Sequence, residues 1–253
     1  MKKSILIVTQ ARVGSSRFPE KVLKKLGRST LLGTHIYRLK RSKKATKILV
    51  ATTNETKSND IVKIARDHSV EFFNGSTENV LDRYYQATKK HKSDYVVRVT
   101  SDCPLIDGIL IDSVVEMVIK NDLDYGSNTL IDSYPDGQDV EVFKFGALEK
   151  AWNEATLPSE KEHVTSYIKK NCDFNKGSLF KSMNLGAVKN YTNIRMTVDE
   201  PSDLDAIKIL IKNLGIDKRW QEYAEYILGN AVKFNNQNIT RNEGYLKSLK
   251  LDG

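Results

Sequence analysis

An α/β fold built on a mostly parallel sheet with helices on both faces is what the sequence predicts, on two observations. Short apolar runs rich in β-branched residues recur, as parallel strands buried on both faces require. Segments of helical period separate them, and strand and helix alternate four times, which right-handed crossovers connect. At 253 residues the chain sits near the ~250–300 residues at which one core stops growing, so one large domain is expected. Taken in order, SILIV (4–8), ILVATT (48–53), EFF (71–73) and YVVRVT (95–100) are the strands. Between them, Leu32, Ile36 and Leu39 mark a first helix, and Ile61, Ile64, Ala65 and His68 a second. Val80, Leu81, Tyr84 and Tyr85 form a third stripe behind a cap at Ser76 or Thr77, and Ile111, Val114, Val115 and Val118 a fourth.

From about residue 124 the alternation breaks. DVEVF (139–143) is apolar at every second position, which predicts a strand whose polar face carries Asp139 and Glu141. A helix follows at 145–155 and another from about Pro158 to Lys170. NIRMTV (193–198) then returns as an apolar strand, and Leu204, Ile207, Leu210, Ile211 and Leu214 as an amphipathic helix. One domain is thus expected over 1–229, with 4–123 as its regular half, 124–190 as an insertion and 191–229 as a return. The polar stretch 230–253 is expected to be a peripheral tail.

Forty Lys+Arg against 32 Asp+Glu give a net charge of +8, and 40% hydrophobic residues suit a soluble globular protein rather than a disordered one. No apolar run approaches the ~18 residues of a membrane span, and the five-residue run after Met-Lys-Lys is shorter than a signal peptide's core. Cys103 and Cys172 make neither a metal framework nor a disulfide scaffold, so a cytoplasmic location is expected. The charge is uneven: residues 1–50 hold 14 Lys+Arg and one acidic residue, Glu20. Such a basic end admits nucleic acid, an anionic membrane or a small polyphosphate as partner, while Lys40, Arg41, Lys43, Lys44 and Lys47 read as a solvated surface.

TQARVGSSRFPEKVL (9–23) follows the first strand directly, where ligands bind in open α/β sheets. Gly14 permits close backbone approach, Ser15 and Ser16 offer hydroxyls, and Arg12, Arg17 and Lys21 put three cations within ten residues. Guanidinium forks bind phosphate oxygens in pairs and an ammonium acts as a point charge, so the loop suits a triphosphate. It is neither a GxGxxG nor a GxxxxGK[ST] loop. Asp102 and Asp199 each end an apolar run, and two carboxylates meeting beyond the sheet could hold Mg²⁺. Either could equally cap a turn or helix. Arg98 lies inside an apolar strand and needs a partner, Arg83 reads as site or surface, and Cys103 reads as packing.

QARVGSSRFPEKVL resembles the N-terminal signature of cytidylyltransferases that activate acidic sugars, and more closely that of the spore coat polysaccharide biosynthesis protein F branch. ATTNETKSND (51–60), TSDCPLID (100–107), PDGQDVEVF (135–143), EKEHVT (160–165) and TVDEPSDL (197–204) extend the resemblance over roughly residues 4–215. It implies a nucleotide-diphosphate-sugar transferase-like fold and attack by an acidic sugar or a phosphorylated acceptor on the α-phosphorus of CTP, releasing pyrophosphate, for surface glycan synthesis. By it, Arg12, Lys21, Asp102 and Asp199 would be catalytic, the two aspartates holding Mg²⁺. Gln10, Ala11, Arg12, Gly14, Ser15, Arg17, Lys21, Thr52, Thr53, Asn54, Arg83 and Arg98 would bind the nucleotide. Asp136, Gln138, Asp139, Glu141 and His163 would face the acceptor, and the 124–190 insertion would form a homodimer.

The sequence departs from its relatives in carrying VGSSRF where sialic-acid enzymes have a glycine-rich GGSKG-type loop, and SDCPL where keto-deoxy-octulosonate enzymes have GDEPL. Fold and reaction type survive these differences, whereas the acceptor stays open. A glycosyltransferase of similar fold is the alternative enzyme, although a diphosphate sugar needs fewer cations than the first loop supplies. A basic nucleic-acid-binding protein is the alternative of another class, but the chain shows no zinc spacing, RNP-like string or basic helix interleaved with aromatics. Neither nucleic acid nor a membrane is expected as a partner.

Overall fold

A computed structural model describes residues 3–15, 17–239, 241, 243–250 and 252. The first apolar run forms β1 (Ile5–Gln10), whose first five residues are buried. A one-turn 3-10 segment (Lys21–Leu23) and a small hairpin, β2 (Lys25–Leu26) and β3 (Ser29–Thr30), lead into α1 (Leu31–Leu39). There Thr30 supplies a side-chain cap to the Gly33 N–H. β4 (Lys47–Thr53), α2 (Ser58–Asp67), β5 (Glu71–Gly75), α3 (Val80–Lys89), β6 (Tyr95–Thr100) and α4 (Gly108–Lys120) follow the expected alternation. The cap of α3 differs from expectation: Asn79 accepts from Asp82 N–H, while Ser76 accepts from Asn79 N–H one step earlier. Ser76 fixes the approach to the helix rather than its first turn.

The rest of the chain comprises β7 (Tyr125–Ser127), β8 (Glu141–Lys144), α5 (Phe145–Glu154), α6 (Pro158–Glu162), α7 (Ser166–Asn171), β9 (Ser182–Asn184), α8 (Pro201–Leu214), α9 (Trp220–Gly229) and α10 (Glu243–Leu249). Seven strands form one sheet in the order β5-β4-β1-β6-β8-β7-β9. β5, β4, β1 and β6 are parallel, β8 runs antiparallel to both β6 and β7, and β9 is parallel to β7. Residues 124–190 thus place three strands in the main sheet.

Alternation along β1 sends Ile5 and Ile7 to one face, under α1, α4, α8 and α9, and Leu6 and Val8 to the other, under α3, α5 and α7. Val50 joins α1 and α2 in a smaller cluster on the first face. Each such fully buried aliphatic side chain stabilises the fold by about 1.5–3 kcal/mol. Because β1 is central and its crossovers leave to both sides, a crevice opens beyond Gln10 and Thr100, where β1 and β6 end together.

Three local expectations are corrected. Residues 193–198 form no strand; their strand-like pairing is a single isolated bridge, Asp136 to Arg195. Ile194, Met196 and Val198 are apolar because they pack against the core, not because they lie in the sheet. Gly137 makes that close approach possible: it adopts φ +100°, and a Cβ there would fall 2.7 Å from the Met196 carbonyl carbon. The strand expected at 139–143 begins only at Glu141, so Asp139 and Glu141 do not share a strand face. The helix expected over 158–170 is broken into α6 and α7 by Val164 at φ +44°, a conformation unusual for a β-branched residue.

Candidate active site

The crevice is one cleft with two chambers. The larger, about 1040 Å³, is lined by Gln10, Ala11, Arg12, Ser15, Arg17 and Lys21 from the first loop, with Thr77, Asn79 and Arg83 around the start of α3 and Lys161 from α6. The smaller, about 340 Å³, is walled by Arg98, Asp136, Asp139, Glu141, Thr165 and Lys169. Arg17, Thr100, Asp102, His163, Asp199 and Glu243 line both and mark the passage between them.

At that passage Lys21 gathers the centre. Its Nζ donates to Asp199 Oδ1 at 2.8 Å, to the Val198 carbonyl at 2.8 Å and to Asp102 Oδ2 at 3.0 Å. Burial alone would lower the ammonium's pKa, but the two carboxylates outweigh it and raise the pKa, so the lysine is charged. Burial likewise favours a protonated Asp102, yet the Lys21 charge and the Thr100 hydroxyl overcome it and hold Asp102 well below the usual carboxylate range. Arg17 Nη2 lies 3.1 Å from Asp199 Oδ1, and Arg195 Nη2 lies 3.2 Å from Asp199 Oδ2.

Arg195 also holds Asp136, with its Nη1 2.6 Å from Oδ2, and Asp203, with its Nε 2.8 Å from Oδ1. Asp203 in turn accepts from the Asp199 and Glu200 N–H groups, fixing the turn that presents Asp199 at the start of α8. Burial, and after it the like charge of Asp139, push Asp136 up to about 7 against the pull of Arg195. Burial also raises Asp139, against the pull of Arg241.

The deeper wall is a closed ion-pair cluster. Glu141, 4% exposed, accepts from Arg98, from Lys169 Nζ at 3.0 Å, from the Tyr125 hydroxyl at 2.7 Å and from the Thr165 hydroxyl at 2.8 Å. Burial opposes its ionisation, but Lys169 and Arg98 hold its pKa far below normal. The left-handed turn at Val164 separates His163 from Thr165 so that both line the smaller chamber. Burial brings His163 down to about 4, leaving it neutral at pH 7.

Residues 5–233 match the family model described as Cytidylyltransferase. The chain belongs to the cytidylyltransferase family. An uncharacterized protein of Methanocaldococcus jannaschii is 42% identical over 79% of this chain and 79% of its own length. The spore coat polysaccharide biosynthesis protein SpsF of Bacillus subtilis is 31% identical over 83% of this chain and 88% of its own. A solved cytidylyltransferase structure from Leptospira borgpetersenii superposes with a TM-score of 0.86 at 33% identity, covering 95% of this chain and all of that one. The resemblance read from the motifs is thereby established, as are the α/β fold and the enzyme type.

In this cytidylyltransferase the fold brings together Gln10, Ala11, Arg12, Ser15, Arg17, Lys21, Arg83, Asp102 and Asp199 at the larger chamber. Arg98, Asp136, Asp139, Glu141 and His163 line the smaller. Ser16 lies outside the described residues. Other expected residues are elsewhere. Thr52 and Thr53 are buried, Thr53 bonded to Glu55 and Ser58, and Asn54 is exposed; none lines the cleft. Thr52 and Thr53 close β4 and Asn54 follows it; the chamber wall on that side comes instead from Thr77 and Asn79, which follow β5. Gly14 faces Glu55 rather than either chamber. Gln138 is fully buried and occupied by framework bonds, accepting from Asp107 N–H and donating to the Leu105 carbonyl. Arg83 is buried, with its guanidinium donating to the Ser76 carbonyl beside the cavity.

Sequence reasoning passed over Lys161, Lys169, Arg195 and the C-terminal residues Arg241, Glu243, Tyr245 and Ser248. Arg195 carried a signal, a lone cation inside the apolar run NIRMTV, of the same kind that singled out Arg98. The tail does not lie apart from the site: Glu243 and Tyr245 line the smaller chamber, and Glu243 and Ser248 the larger. A polar composition marked it as peripheral because its contacts are polar ones made with the cleft.

Proposed function

We propose that this cytidylyltransferase transfers CMP from CTP to an acidic sugar or a phosphorylated small-molecule acceptor, releasing pyrophosphate, for surface glycan synthesis. The observation that carries the reading is the division of the cleft. Cations gather in the larger chamber, a carboxylate pair sits at the passage, and a polar chamber beyond it suits a hydroxylated acceptor. In the larger chamber Arg12 and Lys161 make no ion pair among the described residues, which leaves both charges for phosphate. The polysaccharide pathway named for the Bacillus relative supports the glycan assignment. Two buried free cysteines suit a reducing cytoplasm.

Arg12, Arg17 and Lys161 would hold the β- and γ-phosphates, and Lys21 would neutralise charge at the passage as the acceptor oxygen bonds the α-phosphorus and the bond to pyrophosphate breaks. Such a reaction calls mainly for positioning and charge stabilisation. The donor chemistry fits Mg²⁺: Asp102 and Asp199 are hard oxygen ligands that already converge on one cation, the Lys21 ammonium. Among the described residues no third His, Cys, Asp or Glu joins them, which suits an ion that keeps water and phosphate oxygens in its shell. When bound there, Mg²⁺ would polarise the phosphate oxygens. A homodimer belongs to the same proposal. β9 is the edge strand, and Met183 on it, with Phe174 and Leu179 alongside, is partly exposed for a second copy to cover.

The test is a pyrophosphate-release screen of the four nucleoside triphosphates against acidic sugars and phosphorylated acceptors, with Mg²⁺ and with EDTA. CTP with Mg²⁺ and one acceptor class should release pyrophosphate, and Asp102→Asn and Asp199→Asn should each abolish most of it. Near-normal turnover in either variant at low Mg²⁺ would return that aspartate to a structural role.

A further inference from the structure

The chain beyond residue 233 lies outside the family match, yet it returns across the mouth of the cleft. Contacts at four places hold it there, three of them to residues that line the cleft. Arg241 Nη2 donates to Asp139 Oδ1 at 2.7 Å. Glu243 Oε2 accepts from Arg17 Nη1 at 3.2 Å. Ser248 Oγ is 2.7 Å from His163 Nε2, and the Tyr245 ring meets the His163 ring edge-on at 5.0 Å between centroids. Asp252 accepts from the Ser159 N–H at 2.9 Å and from its hydroxyl at 2.5 Å.

Apolar anchoring is thin by comparison, since Leu246 and Leu249 of α10 are 50% and 41% exposed. A segment held by a few polar bonds at a solvent-accessible mouth opens at low cost, unlike an element docked through a core. The bond between Glu243 and Arg17 gives the opening a chemical trigger. Arg17 spends one guanidinium nitrogen on Asp199, a carboxylate of the passage, and the other on Glu243, a carboxylate of the tail. A guanidinium fork takes carboxylate and phosphate oxygens in the same geometry. Glu243 therefore holds a position on Arg17 that a nucleotide phosphate would claim.

We infer that the C-terminal segment is a strap across the active site, in which Glu243 stands in for phosphate on Arg17 and is released when a triphosphate binds. The inference rests on the reading of Arg17 as a phosphate ligand. Linkage then requires reciprocity: the docked strap weakens triphosphate binding by the same factor by which the triphosphate weakens docking. Ion pairs exposed to this degree are weak, so that factor is about two- to fivefold. Release would also withdraw Tyr245 from the smaller chamber, so the nucleotide would open the acceptor's side of the cleft.

The experiment titrates CTP and CMP, with Mg²⁺ and no acceptor, into the full chain, Glu243→Gln, Arg17→Ala and a chain truncated after Ile239, which keeps Phe234 and Asn236 in the core. Amide hydrogen exchange of residues 243–250 in the full chain is the second readout. Glu243→Gln and the truncation should tighten CTP about two- to fivefold while leaving CMP, which lacks the β- and γ-phosphates, unchanged. CTP but not CMP should accelerate exchange in 243–250. If Arg17→Ala weakens CTP but Glu243→Gln leaves it unchanged or weaker, the strap mechanism is overturned and the phosphate loop stands. If Arg17→Ala leaves CTP unchanged, the phosphate reading beneath it fails. Slower exchange under CTP would make the segment a cover that closes on the nucleotide, and would overturn release.

Discussion

His35, beneath the site, is held neutral by burial, against the Cys103 carbonyl and the Asp102 charge, which favour its protonated form. The Cys103 carbonyl, 2.8 Å from Nδ1, can only accept, so the proton lies on Nδ1 and Nε2 accepts from the Thr9 hydroxyl at 2.9 Å. Complete burial brings its pKa down to about 4 from an ordinary 6.5. A histidine depressed in the fold contributes stability that is present above pH 6.5 and is lost as pH falls toward 4, because the unfolded chain binds the proton first. The size is about 3 kcal/mol. Urea unfolding between pH 7 and pH 4 should therefore show a loss smaller by about that amount in His35→Gln than in the parent chain. An equal loss in both would mean that the imidazole is not buried neutral. The bond matters to the site because it ties the end of β1 to the 101–106 turn that carries Asp102.

At the scale of elements, the start of β8 and the turn between α6 and α7 together wall the smaller chamber. Glu141, which the sequence places toward the acceptor, lines the smaller chamber, and its register opposite Arg98 on β6 makes it the anchor of a buried cluster as well. Removing one partner of a buried pair leaves the other charge uncompensated, at about 3–5 kcal/mol. Glu141→Ala should lose about that much stability in urea denaturation, whereas Asp139→Ala, a third exposed and paired with Arg241, should lose about 1 kcal/mol or less. Equal small losses would show that the Arg98 cluster does not hold β6 to β8. The positive φ at Val164 has a related effect: one continuous helix could not present His163 and Thr165 to the chamber in this way.

Over the whole molecule, part of the basic first fifth meets carboxylates from later in the chain. Arg41 meets Asp217, Lys44 meets Glu116 and Lys47 meets Glu71, while Arg12, Arg17 and Lys21 are directed to the cleft. The excess that suggested a polyanion partner thus divides into a surface, paired in part, and a concentrated site. At the opposite end of the sheet, β9 leaves an unpaired edge with Met183 39% exposed. If a second copy covers it, Met183→Lys should shift sedimentation toward the monomer without lowering the melting temperature of the monomer. A chain that sediments as a monomer before substitution would remove the proposed dimer.

The order β-α-β through residue 120 was legible because periodicity is local: which side of a strand or helix is apolar is written within a few residues of itself. The first loop was legible for a related reason, since a loop after a buried strand must lie at the sheet's carboxyl edge, and its Arg12, Arg17 and Lys21 needed no distant partner to be noticed. Asp102 and Asp199 were legible as carboxylates that end apolar runs, but their convergence on Lys21 depends on three segments far apart in sequence. Only tertiary structure could decide that Thr52 and Thr53 are buried and line neither chamber, that Glu141 belongs to Arg98, that NIRMTV packs without joining the sheet, and that a polar tail returns to Arg17 and His163. Each of these turns on which surfaces meet across long sequence separations, and polarity alone does not say whether a side chain's partner is water or another residue.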